Sequence, residues 1–304
     1  MAELSTQGNG AAARHGLAGP ETGAAETGGA WAGVCAFPVA GRQAKPRECG
    51  LTMVIDKGLG VAATADLLEL AAPCIDLLKF AFGTTAFYSE DVLARKLRLA
   101  EAAGVLVYPG GTFLEVAVAQ GRGAAFVRRA EALGFRAIEI SDGTIPMDTA
   151  TRYTLLDEAL RMGLRVLTEV GKKHPDDRLP SATRHAQIAA DLRHGAWKVI
   201  VEGRESGKGV GMYRADGSID TSELEGLVQA APDVADLIWE APLKQQQQEL
   251  ILQFGCNVNL GNIAAAEALS LEALRVGLRG DTLRAALGAG ATGTLVESGA
   301  RGGN

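Results

Sequence analysis

"LRVLTEVGKK", residues 164–173, starts as a run of aliphatic and β-branched residues and ends in a glutamate followed closely by two lysines. The apolar part reads as a buried strand. A surface strand would spread its charges along one face, because side chains alternate with a period of two. Here the charge gathers at the C-terminal end, where the strand would pass into a loop.

The same pattern recurs on both sides of this stretch. Upstream are "LTMVID" (51–56), "IDLLKF" (75–80), "VLVYP" (105–109) and "FRAIEIS" (135–141). Downstream are "WKVIVEG" (197–203), "DLIWEA" (236–241) and "CNVNL" (256–260), which makes eight runs in all. Between them lie stretches of helical periodicity such as "EDVLARKLRLAEAAG", "GAAFVRRAEALG" and "HAQIAADLRHG", each closing on the glycine that helix C-termini favour. Eight strands, each with room for a following helix, predict a single-domain (β/α)8 TIM barrel over residues 34–285. A doubly wound sheet is the alternative. It would use fewer strands, and no GxGxxG opens the first βα turn.

The barrel accounts for the charges, because active sites in this fold sit at the C-terminal ends of the strands. Asp56, Glu139, Glu169, Glu202 and Glu240 end five of the eight runs. A single strand-end carboxylate is ordinarily a helix cap or a salt-bridge partner. Five converging on one barrel mouth would repel one another, and require metal or basic partners. "KQQQQ" (244–248) reads as a βα-loop and helix start. His15, His185 and His194 fall on a tail or on helix surfaces, whereas His174 adjoins the lysine pair.

Residues 1–33 are dominated by Ala, Gly and small polar residues, and 286–304 are similarly glycine-rich. Both are expected to be flexible extensions, because such segments cannot offset their ordering entropy. A formal charge of −6 gives no overall basic surface and argues against nucleic acid as a partner. Cys35, Cys49, Cys74 and Cys256 have no CxxC spacing, as expected of reduced thiols in a cytoplasmic protein. No run approaches the roughly 20 apolar residues of a membrane helix, and the N-terminus lacks an apolar signal core. Barrels commonly form homo-oligomers, but no interface is readable here.

The ordered set "KPRECGLTMVIDKGL", "LKFAFGTT", "YPGGTFLE", "GFRAIEISDGT", "LTEVGKK", "VEGRESGKGVGMY", "EAPLKQQQQELILQFGCNVNLGNI" and "SLEALRVGLRGDTL" resembles the phosphosulfolactate synthase family across residues 45–284. The resemblance implies a Mg²⁺-dependent (β/α)8 barrel that adds sulfite to phosphoenolpyruvate, an enzyme of the carbon–sulfur lyase class running in the synthetic direction. Where the family usually has a Gly-Trp pair after the second strand, this chain has Ala81-Phe82. That departure keeps open a relative that adds another nucleophile. Plant heat-stress proteins also resemble the family, so a non-catalytic role is a third reading. A Schiff-base aldolase, using a strand-end lysine, is a fourth.

The chemistry implied by the resemblance can be matched to residue types. Both substrates are anions, and bringing two unit charges to ~4 Å costs about 4 kcal/mol at an effective dielectric of ~20. Sulfur attack at C3 places charge on C2 and the carboxylate, which a divalent cation would stabilise and an ammonium would discharge by protonating C2. Lys173 is the expected acid, sharing a side with Glu169 and Gly171 if the strand stays extended past Val170; Lys172 is the fallback. Glu139, Glu169 and Glu202 are the expected Mg²⁺ ligands, with Asp142 behind them. Arg204 and Lys208 lie in the glycine-spaced "GRESGKGVG", which suits an anion. Asn259 and Asn262 bracket the end of the eighth run, where barrels often hold phosphate. Lys57 and Lys79 are expected to bind either anion or to pair with nearby carboxylates.

Overall fold

Each expected β-run yields one strand: β1 (Thr52–Asp56), β2 (Leu77–Phe80), β3 (Leu106–Pro109), β4 (Ala137–Ile140), β5 (Arg165–Val170), β6 (Lys198–Val201), β7 (Leu237–Glu240) and β8 (Leu260–Ala264). These come from a computed structural model, which describes residues 29–174, 177 and 179–290. The helices are α1 (Val61–Ala71), α2 (Glu90–Ala102), α3 (Gly111–Ala119), α4 (Gly123–Leu133), α5 (Thr149–Arg161), α6 (Ser181–Arg193), α7 (Thr221–Ala230), α8 (Lys244–Phe254), α9 (Ala268–Arg275) and α10 (Gly280–Gly290). Polar caps start several of them: Ser89 accepts from the Val92 N–H and Asp148 from the Thr151 N–H. Among the described residues, no helix is long and apolar enough to cross a membrane.

The expected tails need correcting at their inner ends. Residues 29–31 form a 3₁₀ turn, and residues 286–290 continue α10 instead of starting a flexible tail. Ala286 is buried beside Val39 and Cys256, which anchors that helix. Residues 32 and 33 continue as a turn, and residues 1–28 and 291–304 lie outside the described residues.

All strand pairs are parallel, in the order β3-β2-β1-β8-β7-β6-β5-β4. The two ends of that run, β3 and β4, pack side by side and close the barrel. Proline fixes this seam. Leu106 and Gly110 donate their N–H groups to Asp76 and Phe80 on the β2 side, so by alternation Pro109, which has no N–H, faces β4.

Side-chain alternation then builds the site. Leu77, Ala137, Leu167, Ile200 and Ile238 point into the barrel, where they form one buried cluster with Leu51, Met53 and Tyr108. Two residues further along each strand, on the same inner face, stand Lys79, Glu139, Glu169, Glu202 and Glu240. The residues between, including Leu78, Ile138, Val201 and Trp239, face the helices.

The eighth strand departs from expectation. It begins at Leu260, where the sequence reading ended it. Asn259 lies at the opposite end of the barrel from the mouth, accepting from the Leu51 N–H (2.9 Å) and donating to the Ala235 and Leu237 carbonyls (2.8 and 2.9 Å). It knits β1, β7 and β8 together there, and does not line the mouth cavity where the substrate role was expected. Further along, Thr52 pairs with Leu260 but Val54 with Ile263, so β8 carries a bulge. The extra residue is Asn262, which lines the mouth cavity with φ of 54° while Ile263 packs outward.

Arg152 of α5 ties the helical layer to the strand ends. Its guanidinium meets Asp191 of α6 at 2.6 and 3.1 Å and donates to the Glu169 carbonyl at 3.1 Å. Arg152→Met would strand Asp191, which is fully buried. The unfolding free energy from urea titration should fall by about 3–5 kcal/mol, and adding Asp191→Leu should recover most of it.

Candidate active site

Lys79 rises through the centre of the barrel mouth. Its Nζ lies 2.9 Å from Glu139 Oε2, 3.1 Å from Glu240 Oε1 and 3.5 Å from Glu169 Oε2. Lys173 enters from above, with Nζ 3.1 Å from Glu169 Oε1 and 3.7 Å from both Glu202 Oε2 and Glu115 Oε1. It also donates to Thr112 Oγ1 at 3.0 Å. These groups surround a cavity of about 530 Å³ whose wall includes Gly110, Gly111, His174, Arg204 and Asn262.

Backbone donors aim the carboxylates. The Gly111 N–H holds Glu139 Oε1 (2.7 Å), the Arg204 N–H holds Glu202 Oε1 (2.6 Å) and the Gly203 N–H holds Glu240 Oε2 (3.0 Å). Each keeps one oxygen fixed and turns the other inward. Glycine is required for these approaches: a Cβ on Gly203 would stand 2.5 Å from the Glu240 carbonyl oxygen, and one on Gly111 2.7 Å from Glu139 Oε1. Glu115 has a different task. It accepts from the Gly143 and Thr144 N–H groups (3.1 and 2.8 Å), holding the loop after β4 against α3.

Lys173 reaches the cavity by a turn, and not by the expected extension of β5. The strand stops at Val170, and Gly171 takes φ of 125°. Lys173 then donates its N–H to the Gly143 carbonyl (2.9 Å), and its stem lies across Gly143. Lys172 is turned the other way, donating to the Asp142 carboxylate (2.8 Å) and to the Ile145 carbonyl (3.3 Å). Asp142 is also within 3.4 Å of Arg152. The Lys172–Asp142 pair therefore lies behind the cavity wall, and neither the fallback acid nor the reserve metal ligand faces the cavity. Gly171→Ala would place a Cβ 2.7 Å from that of Glu202 in a left-handed backbone. It should cost about 1–3 kcal/mol in chemical denaturation, and a neutral result would show that this turn is not strained by a side chain.

The electrostatics of the cluster follow from its composition. Five buried carboxylates meet two ammonium groups. Burial, partly offset by Lys79, pushes Glu139 up to about 7. Burial, together with the charges of Glu169 and Glu240, pushes Glu202 well above the usual carboxylate range. Glu169 is the exception: burial opposes its charge, but Lys173 and Lys79 together pull it down to about 2. Burial would lower both lysines, yet the carboxylates outweigh it and keep them as ammonium ions.

An oxygen from each of Glu169, Glu202 and Glu240 lies within 4.8 Å of the others. Both Glu169 oxygens and Glu202 Oε2 are buried without a hydrogen-bond partner. An all-oxygen, anionic set whose inward oxygens meet only ammonium groups fits a hard divalent cation. By distance Glu240 takes the place in this trio that the sequence reading gave to Glu139, although its oxygens, like those of Glu139, also meet a backbone N–H and Lys79.

The other expected residues separate clearly. Asn262 lines the cavity, and its buried Oδ1 has no hydrogen-bond partner. Arg204 stands at the rim, donating to the Lys173 carbonyl at 3.2 Å. Lys57 is half exposed and pairs with Glu205 at 2.6 Å. Lys208 is exposed and is not part of the cavity wall. Asp56, although it ends β1, points outward to the buried Lys96 (2.6 Å). Thr112, Glu115 and the Gly110-Gly111 pair were missed as site residues; the glycine pair between a strand and a helix in "YPGGTFLE" was the available signal.

Comparison with known proteins extends these observations. The dihydrodipicolinate synthases of Cyanidioschyzon merolae and Agrobacterium tumefaciens superpose with TM-scores of 0.51 and 0.50 at 9% and 12% identity. The first match covers 81% of this chain and 80% of the other, the second 80% of each, and the likeness is one of fold. Sequence relatives are much nearer. The phosphosulfolactate synthase of Methanocaldococcus jannaschii is 45% identical over 235 residues, covering 77% of this chain and 93% of that protein. The Methanothermobacter thermautotrophicus protein of the same name is 42% identical over 244 residues, covering 80% and 94%. That of Bacillus subtilis is 36% identical over 247 residues, covering 79% and 95%. The family model described as (2R)-phospho-3-sulfolactate synthase (ComA) matches residues 40–281. Spanning the whole barrel and both walls of the cavity, these matches make the chain a member of the (2R)-phospho-3-sulfolactate synthase family.

Proposed function

We propose that the protein adds sulfite to C3 of phosphoenolpyruvate, giving (2R)-O-phospho-3-sulfolactate, with Mg²⁺ as its metal. The observation that carries this reading is the position of the Lys173 ammonium, 3.1 Å from Glu169 inside an all-oxygen carboxylate cluster. Acid and cation ligands thus share one wall, as an addition that creates an enolate requires.

Glu169, Glu202 and Glu240 would hold the cation, which when bound neutralises the substrate carboxylate and competes with the ammonium groups for these glutamates. The sulfite sulfur donates its lone pair to C3, and the C2–C3 π electrons move to C2. Lys173 delivers its proton to C2, where the electron pair collects. Lys79 keeps the inward oxygens of Glu139 and Glu240 from repelling each other. Arg204 at the rim and the Asn262 amide on the β8 side would receive anionic oxygens of the substrates, the guanidinium fork being well matched to them. A Schiff-base route fits less well, because it needs a neutral lysine and both candidates are held charged. Incubation with phosphoenolpyruvate, sulfite and Mg²⁺ should give a sulfonated product by mass spectrometry; unconsumed substrates would refute the assignment.

A further inference from the structure

Among the described residues, three that are not glycine have a positive φ: Phe82 (55°), Arg204 (56°) and Asn262 (54°). All three line the mouth cavity, although they come from three separate strand ends. Left-handed backbone is costly for a residue with a Cβ, and is kept where function demands it. For Arg204 and Asn262 the use is clear, since each presents a polar group to the cavity. Phe82 lacks that explanation. The residue is 58% exposed, so it is not part of the core. Glycine follows it in the same left-handed conformation (φ 62°), and glycine would suit position 82 as well.

The loop holds the ring where it is. The Ala81 N–H donates to the Asp56 carbonyl and the Thr84 N–H to the Ala81 carbonyl, both at 3.0 Å. Ile55, Ala81 and Phe82 line the cavity at the ends of β1 and β2, which the strand order sets across the barrel from β5 and β6, whose ends carry Glu169, Lys173 and Glu202. A phosphoenolpyruvate held by its anionic groups on the charged side would turn its one apolar part, the C3 methylene, toward this wall.

We propose that Phe82 is a specificity-determining residue, its ring bounding the space beside C3 and admitting a nucleophile the size of sulfite while refusing larger ones. The proposal rests on the sulfite-addition reading above. In the reaction it governs, a sulfur lone pair forms the C3–S bond, the π pair moves to C2, and Lys173 supplies the proton there. Methanesulfinate offers the same sulfur lone pair with a methyl group in place of one oxygen.

The test compares kcat/KM for sulfite and for methanesulfinate, at saturating phosphoenolpyruvate and Mg²⁺, in the wild type, Phe82→Gly and Phe82→Tyr. In Phe82→Gly the methanesulfinate-to-sulfite ratio should rise about tenfold or more, while the melting temperature stays level or rises as strain is relieved. Phe82→Tyr should keep the wild-type ratio. An unchanged ratio in the glycine variant, with wild-type sulfite turnover intact, would overturn the role of Phe82 alone. A melting temperature several degrees lower would assign the ring to the fold and overturn it too. A wild type inert toward both nucleophiles would remove the underlying reaction, and the proposal with it.

Discussion

Lys173→Ala should lower turnover roughly 10²- to 10⁴-fold, the range expected for loss of a general acid. The side chain crosses Gly143 and is not a packing element of the barrel core, so the variant should fold. Lys173→Arg should rescue little. A guanidinium keeps the positive charge beside Glu169 but is too weak an acid to give up its proton. If Lys173 only offset substrate charge, the arginine variant would keep most of the rate and the loss would fall on KM. Steady-state kinetics of the two variants separate these outcomes. Near-wild-type turnover in folded Lys173→Ala would remove the assignment, and Lys172 could not replace it from behind the wall, where Asp142 holds it at 2.8 Å.

Chelation should abolish activity, and Mg²⁺ or Mn²⁺ should restore it, because both accept sites built of oxygen donors. The choice of ligands makes this sharper. Glu240→Gln removes a charge from the trio of Glu169, Glu202 and Glu240. The metal concentration giving half-maximal rate should rise by roughly tenfold or more, which is about 1.4 kcal/mol. Glu139→Gln, outside the trio, should leave that concentration nearly unchanged while weakening the hold on Lys79. The reverse ranking would return Glu139 to the metal, and full turnover in metal-free buffer would refute a metal role altogether.

The barrel was legible because period-two alternation and strand-end charge are properties of local sequence. Counting two residues on from Leu77, Ala137, Leu167, Ile200 and Ile238 leads directly to Lys79, Glu139, Glu169, Glu202 and Glu240. The errors came where alternation fails. A bulge in β8 turns Asn262 inward and leaves Asn259 at the far end of the barrel. Lys173 faces the cavity and Lys172 turns away, the sides that alternation gives, but through a left-handed Gly171 turn and not through an extended strand. Glu240 joins Glu169 and Glu202 only through the distances between carboxylate oxygens across the mouth. Which carboxylate is spoken for by a backbone N–H is a tertiary fact, and "YPGGTFLE" does not disclose it.

The seam between β3 and β4 has a dynamic consequence. No backbone ladder joins these strands, so their amides facing one another should be among the first in the sheet to exchange with solvent deuterium. What crosses the seam instead is side-chain chemistry, with Glu139 held by Gly111 at the start of α3, and Glu115 of α3 holding Gly143 and Thr144 beyond β4. The bonds that aim the cavity's carboxylates are also the rivets of the barrel wall. Filling the cavity should then tighten the wall, and greater protection of the β3 and β4 amides on adding substrates and Mg²⁺ would report occupancy without any turnover.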